Sequence, residues 1–182
     1  PSEKMTGASV FHLTAFASLL SSKIENMTSS HVQIIDYQPQ HKQRWKEINE
    51  AWVTALYEME EIDHQHCSHP ETSILAGGGQ ILLAVLDGEV VGTAGLLKDN
   101  DETYELIKMA VDERHRGKGI GEALCQASIE RAKSLGAKLF YLLSNTKGSA
   151  GAIRLYRKLG FVEVPLDRQD WARADIKMEM WF

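Results

Sequence analysis

The stretch VDERHRGKGIGEALCQ, Val111 to Gln126, limits what this chain can fold into more than any other, because two periodicities meet in it. Before it, ETYELIKMAVD alternates with period two. Tyr104, Leu106, Lys108 and Ala110 are expected on one strand face, and Glu105, Ile107, Met109 and Val111 on the other. From Gly119 onward, Ile120, Leu124, Cys125, Ile129, Ala132 and Leu135 recur at helical spacing until Gly136 stops the helix. A strand therefore passes through Gly117, Gly119 and Gly121 directly into a helix. Backbone without side chains lets successive N–H groups converge on one ligand, and the helix N-terminus adds unsatisfied donors and a positive dipole end. Arg114, Arg116 and Lys118 point to an anionic ligand. The bland alternative is a tight turn whose glycines only supply positive φ and whose cations are solvated.

Spacing separates the glycine-rich phosphate sites. A nucleotide P-loop needs G-x-x-x-x-G-K-[ST], and no Lys-Ser or Lys-Thr follows such a spacing here. A dinucleotide fingerprint needs G-x-G-x-x-G, whereas these glycines read G-x-G-x-G with no acidic ribose ligand in the expected place. What remains is R-x-x-G-x-G, Arg116 to Gly121, and a pyrophosphate fits it.

The rest of the chain supplies a sheet and its covering helices. HVQIIDYQP reads as a strand closed by Pro39. HKQRWKEINEAWVTALYEM reads as an amphipathic helix with Trp45, Ile48, Trp52, Leu56 and Met59 on one stripe, Trp45 and Trp52 being core residues. EEIDHQHCSHPE is expected to be polar and irregular, followed by a short helical segment from Glu71 that GGG ends. QILLAVLDGEVVGTAGLLK is a hairpin about Asp87 and Gly88. After the central helix come a buried strand, KLFYLLS, a helix, SAGAIRLYRKLG, and the strands FVEVP and RADIKMEMW. Strands interleaved with helices, a hairpin first, imply a mixed α/β sheet with helices on both faces.

Bulk composition narrows the function classes. With 182 residues the chain favours one domain with one substantial core. A net charge of -5 disfavours nucleic acid as a partner, and no apolar run is long enough to span a membrane. Two cysteines, Cys67 and Cys125, are too few for a disulfide framework or a four-cysteine zinc site, so a reducing, cytoplasmic setting is expected. Residues 1–30 form an extension in which Leu13, Phe16, Leu20, Ile24 and Met27 repeat at helical spacing. It is read as a peripheral amphipathic helix, with a mobile extension or targeting segment as the alternatives, and Pro1 is what removal of an initiator Met would leave. The second region, residues 31–182, is expected to be the catalytic domain.

ELIKMAVDERHRGKGIGEAL, followed downstream by AIRLYRKLGF, resembles the GNAT superfamily of acetyl-CoA-dependent N-acetyltransferases. The resemblance implies a mixed, mostly antiparallel sheet flanked by helices, with the strand ending at Val111 and the strand KLFYLLS splayed apart to form the acetyl-CoA cleft. It further implies that Met109, Ala110 and Val111 bind the pantetheine arm and acetyl carbonyl through their backbone. Arg116, Gly117, Lys118, Gly119, Ile120, Gly121 and Glu122 would hold the pyrophosphate. Many relatives carry an asparagine seven residues before a helix tyrosine; Ser149 stands there in this chain, and Asn145 is the candidate substitute for that contact.

Acetyl transfer to an amine needs a deprotonated nucleophile, an oxyanion donor and an acid for the departing thiolate. By the resemblance Tyr156 is the acid, the plain alternative being a helix tyrosine packed on the sheet. Glu105, eleven positions before Arg116, is the candidate general base, the alternative being an ordinary strand glutamate. The oxyanion donor is a backbone N–H near Ala110 or Val111. Neither Cys67, in a polar loop, nor Cys125, on a helix face, looks like an acetylated nucleophile, so transfer is expected to be direct, in a ternary complex. His64, His66, Cys67 and His69 match no established zinc spacing, and no metal is expected; they are read as a solvated loop or as acceptor-pocket lining. Glu58, Glu60, Glu61 and Asp63 are read either as a solvated helix end or as a patch favouring a cationic acceptor. The acceptor, a small-molecule or peptide amine, is set by loops near 57–80 and 165–173. A non-catalytic acyl-CoA-binding sensor is the competing function. A homodimer could form through the N-terminal stripe or the final strand.

Overall fold

The computed structural model describes residues 32–166 and 173–182. The helix expected within residues 1–30 lies outside the described residues, as does most of the 165–173 loop. In chain order the described elements are β1 (Gln33–Asp36), α1 (Lys42–Thr54), α2 (Glu61–Ser68), β2 (Gln80–Leu86), β3 (Glu89–Asn100) and β4 (Thr103–Val111). They continue with α3 (Ile120–Ser134), β5 (Leu139–Ser144), α4 (Ala150–Lys158), β6 (Val162–Val164) and β7 (Ile176–Trp181). The seven strands form one sheet in the order β1-β2-β3-β4-β5-β7-β6. All neighbours are antiparallel except β4 and β5. The molecule is thus a mixed α/β fold with a mostly antiparallel sheet between helices.

Each sheet face has its own core. On one, Ile120, Leu124, Cys125, Ile129 and Ala132 of α3 and Ile153 and Tyr156 of α4 pack with Leu82, Leu96, Leu106, Phe140 and Met178. On the other, Trp45 and Ile48 of α1 pack with Ile81, Leu83, Val90, Ile107 and Ala110. Trp45 and Leu124 are fully buried, and each large apolar side chain removed from water in this way stabilises the fold by about 1.5–3 kcal/mol.

Between these faces β4 breaks its own alternation. Thr93 pairs with Ala110 and Gly95 with Ile107, so Lys108 and Met109 together oppose Ala94, a β-bulge. Lys108 has a φ of 50°, which costs a non-glycine residue of order 1–3 kcal/mol. A buried hydroxyl holds the bulge: Thr93 Oγ1 donates to the Lys108 carbonyl at 2.9 Å and lies 3.3 Å from Asn49 Oδ1 of α1. The consequence corrects the sequence reading. Glu105 does not share a face with Met109 and Val111. These two cross to the α3 side beside Tyr104 and Leu106, while Ala110 joins Ile107 on the α1 side.

Two further expectations change. The first helix ends at Thr54 instead of continuing to Met59, and Leu56, on the expected stripe, is 50% exposed. Residues 61–68, expected to be irregular, form α2, with Asp63, His66 and Cys67 buried. A reciprocal cap starts this helix, because the Glu60 N–H donates to Asp63 Oδ2 at 2.9 Å.

Candidate active site

The pairing of β4 with β5 is short, and the site follows from that. Thr103, Tyr104 and Glu105 pair with Leu139, Phe140 and Tyr141, and no pairing is recorded beyond them. Both strands continue, β4 to Val111 and β5 to Ser144, so an opening lies between their C-terminal halves. The cleft that fills it has a volume of about 670 Å³.

One end of the cleft is backbone. Gly117 and Gly119 take φ of 77° and 78°, the left-handed region, and Gly119 is the N-cap of α3. N–H groups of the first helical turn have no acceptor within the helix, and Ala123 is the first to bond back, to the Gly119 carbonyl. Gly121 has no such φ, and a Cβ there would meet its nearest neighbours, Leu155, Met109 and Val111, only at 3.8 Å. The fold itself would tolerate a methyl group at 121, and Gly121 lines the cleft. Backbone donors, a helix N-terminus and a bare Cα fit an anionic phosphate group.

Of the residues named from the sequence, Glu105, Met109, Ala110, Val111 and Tyr156 line the cleft. So do Arg116, Gly117, Gly119, Ile120 and Gly121, and at the opposite wall Asn145 and Ser149. Lys118 and Glu122 do not. Lys118 is exposed, and the Glu122 carboxylate is turned to Lys158 of α4, at 2.7 and 2.8 Å. Arg114 is likewise engaged outside the cleft, with Asp112 and Glu89. Its hydrogen bond is the main cause that holds the Asp112 carboxyl well below the usual range, with Arg44 adding to it against partial burial. The Asn145 amide serves its own turn: Nδ2 donates to the Arg173 carbonyl at 2.6 Å, and Oδ1 accepts from Lys147 and Gly148.

Tyr156 is 7% exposed and stands edge-on to Phe161. Its hydroxyl lies 3.8 Å from Met109 Sδ. Burial, and after it the neighbouring Cys125, pushes its phenol above the ordinary value, so it is a proton donor at any physiological pH. Glu105 is 6% exposed, and its Oε2 is 3.3 Å from the Tyr141 hydroxyl, which is itself 2.7 Å from Asp99. Burial raises the Cys67 thiol to about 11 and the Cys125 thiol to about 12, and both are free cysteines. Cys67 sits on α2, not in a flexible loop as the sequence suggested.

At the other end of the cleft Asp63, which the sequence placed in an acidic patch, meets Lys108 and Arg173, which the sequence reading gave no role. Lys108 is carried by its bulge toward α2 and forms an ion pair with Asp63; the side chains are 4% and 0% exposed. Arg173 bonds the same carboxylate at 2.8 Å, donates to the Glu58 carbonyl at 2.9 Å and lies over the Tyr57 ring at 5.1 Å. Burial pushes the Asp63 carboxyl up, but hydrogen bonds from Lys108 and the Glu60 N–H, with the charges of Lys108 and Arg173, outweigh that and hold it low. The acidic patch expected from the sequence is therefore not one surface: Asp63 is turned inward onto two cations, while Glu58 and Glu61 are exposed. His66, behind this pair, is pushed down to about 4 by burial and then by Lys108. Among the described residues no three His, Cys, Asp or Glu side chains gather as metal ligands, and no helix is long and apolar enough to cross a membrane. Two sequence signals pointed to this end: a lysine inside an apolar strand, and the Glu60-x-x-Asp63 cap spacing.

Comparison with known proteins gives the same outline. The sequence model described as the acetyltransferase (GNAT) family matches residues 42–161. The rat N-acetylaspartate synthetase is 42% identical over 85 residues, 46% of this chain and 28% of that protein, so the chain spans under a third of its length. An uncharacterised N-acetyltransferase of Bacillus subtilis is 33% identical over 95 residues, 52% of this chain and 61% of that protein. Among solved structures, an acetyltransferase of the GNAT family from Staphylococcus aureus superposes with a TM-score of 0.71 at 25% identity, covering 82% of this chain and 98% of that one. The PaiA N-acetyltransferase of Thermoplasma acidophilum in complex with coenzyme A superposes with a TM-score of 0.68 at 19% identity, covering 84% and 99%.

Proposed function

Because the chain belongs to the GNAT family of acetyltransferases, we propose that it moves an acetyl group from acetyl-CoA directly to a primary amine within a ternary complex. The observation that carries this reading is the opening between β4 and β5, with backbone donors at one end and Glu105 and Tyr156 on its walls. Acetyl-CoA supplies the activated thioester. Gly117, Gly119 and the first turn of α3 hold its pyrophosphate through N–H groups, with Arg116 beside them. The backbone of Met109, Ala110 and Val111 lies along the pantetheine arm, and an N–H of this strand end donates to the acyl oxygen as charge develops there. Glu105 takes the proton that the amine must lose, directly or through a water. The Tyr156 hydroxyl donates to the sulfur as it leaves. Two protonated, buried thiols favour direct transfer over an acetylated cysteine.

The N-acetylaspartate synthetases among the relatives make amino acids the first acceptors to assay. Incubation with acetyl-CoA and a panel of amines is expected to release free thiol in proportion to acceptor. Tight coenzyme A binding with no thiol release from any amine would replace this reading with a non-catalytic acyl-CoA-binding module.

A further inference from the structure

The acceptor half of the cleft carries a pattern of charge that a simple amine does not call for. Glu105 on β4 is suited to an ammonium group or its proton. Three residues further along the same strand the bulge presents Lys108, and Arg173 approaches from the segment before β7. Both cations converge on one carboxylate, that of Asp63, which is fully buried; Glu60, partly exposed at the rim, lies 3.9 Å from Arg173. An alternating strand would have sent Lys108 to the α3 side, and only a residue in the left-handed region, held by the Thr93 hydroxyl, puts it here. Arg173 is fixed in turn by the Tyr57 ring and the Glu58 carbonyl. Strain retained in the wall of a cleft, and two cations oriented by one buried anion, are the features of a preorganised anion-recognition site. Asp63 and Glu60 offset the charge of the two cations, so what this end offers an acceptor is a set of oriented N–H donors, which suit a carboxylate and not a second ammonium group.

We infer that the acceptor is an amine that also bears a carboxylate, an amino acid in the simplest case, and that Lys108 and Arg173 receive this carboxylate while Glu105 faces the amine. The inference rests on the acetyltransferase reading and deepens it. The test compares thiol release from acetyl-CoA with glycine against glycinamide, aspartate against its diamide, and spermidine as the cationic case. The acids are expected to have at least tenfold higher kcat/KM than their amides. Arg173→Gln should raise the KM for the acid about ten- to a hundredfold, narrow the gap between acid and amide, and leave coenzyme A binding by calorimetry unchanged. Because Lys108→Met alone leaves Asp63 short of a buried counter-charge, it is paired with Asp63→Asn, folding is checked by circular dichroism, and the same narrowing is expected. Amides or spermidine used as well as the acids, or variants that discriminate like the parent, would overturn the inference. If no amine releases thiol while coenzyme A binds, the acetyltransferase reading is what has failed. The subsite is then read by titrating aspartate and its diamide into the coenzyme A complex: selective binding of the acid upholds it, and equal or absent binding overturns it.

Discussion

The two ends of the cleft are built in different ways. The end proposed to hold phosphate comes from one uninterrupted stretch, Val111 to Gly121, and offers main-chain groups that any sequence able to make the turn would supply. The acceptor end is assembled from α2, β4 and the segment before β7, and works through side chains drawn from Asp63 to Arg173, 110 positions apart in sequence. A site made of backbone depends on a few glycines and tolerates much substitution around them. A site made of distant side chains can change specificity one residue at a time without disturbing the scaffold.

The largest effect should come where the two ends meet. Glu105→Gln is expected to lower kcat by about 10²–10³, and Tyr156→Phe by about ten- to a hundredfold, with acetyl-CoA affinity held within a few-fold in each case. Steady-state kinetics with both substrates varied separates these from binding losses; an unchanged kcat in either variant would remove that residue from the chemistry.

At the phosphate end the contrast is between a bare Cα and a side chain. Gly121→Ala should raise the KM for acetyl-CoA by on the order of tenfold. Its unfolding midpoint in urea should barely move, because the nearest protein atoms leave 3.8 Å for the new Cβ. Glu122→Gln serves as the control: its carboxylate is tied to Lys158 at the surface, and less than a twofold change in that KM is expected.

The scaffold behind Lys108 and Asp63 is tested through stability and leaves catalysis aside. The folded-state pKa of His66, about 4, lies below the ordinary value of 6.5. Its neutral form therefore contributes stability that is complete above pH 6.5 and is lost as pH falls toward 4, about 3 kcal/mol in all. In His66→Phe this slope in chemical-denaturation stability should flatten between those values. An equally steep slope would mean that another group titrates there.

How much of this was legible in the sequence follows the same division. The glycine turn, the strand before it and the helix after it could be read directly, because periodicity and turn chemistry are local signals, although Lys118 and Glu122, named with that turn, do not line the cleft. Lys108 could not be placed, because a bulge is decided by what a strand packs against: here Thr93, Asn49 and α2. The same blindness put Met109 and Val111 on the face of Glu105. Residues 61–68 read as loop because their composition is polar, yet one face of that polar segment is buried by Lys108 and Trp45, whose indole N–H donates to the His66 carbonyl at 2.9 Å. Burial of polar groups through specific partners leaves almost no trace in hydropathy.

The early end of the β4–β5 ladder has one more consequence. A sheet ordinarily has two edges, but among the described residues this one has four, since Leu106 to Val111 and Leu142 to Ser144 each have a side with no strand beside it. The outer edges face what any protein surface faces. The inner pair is an open seam in the sheet, and a ligand with peptide-like amides, as the proposed pantetheine arm has, is the natural rung to close it. On the proposed function the co-substrate is structural as well as chemical, a temporary strand whose departure with each turnover would reopen the sheet.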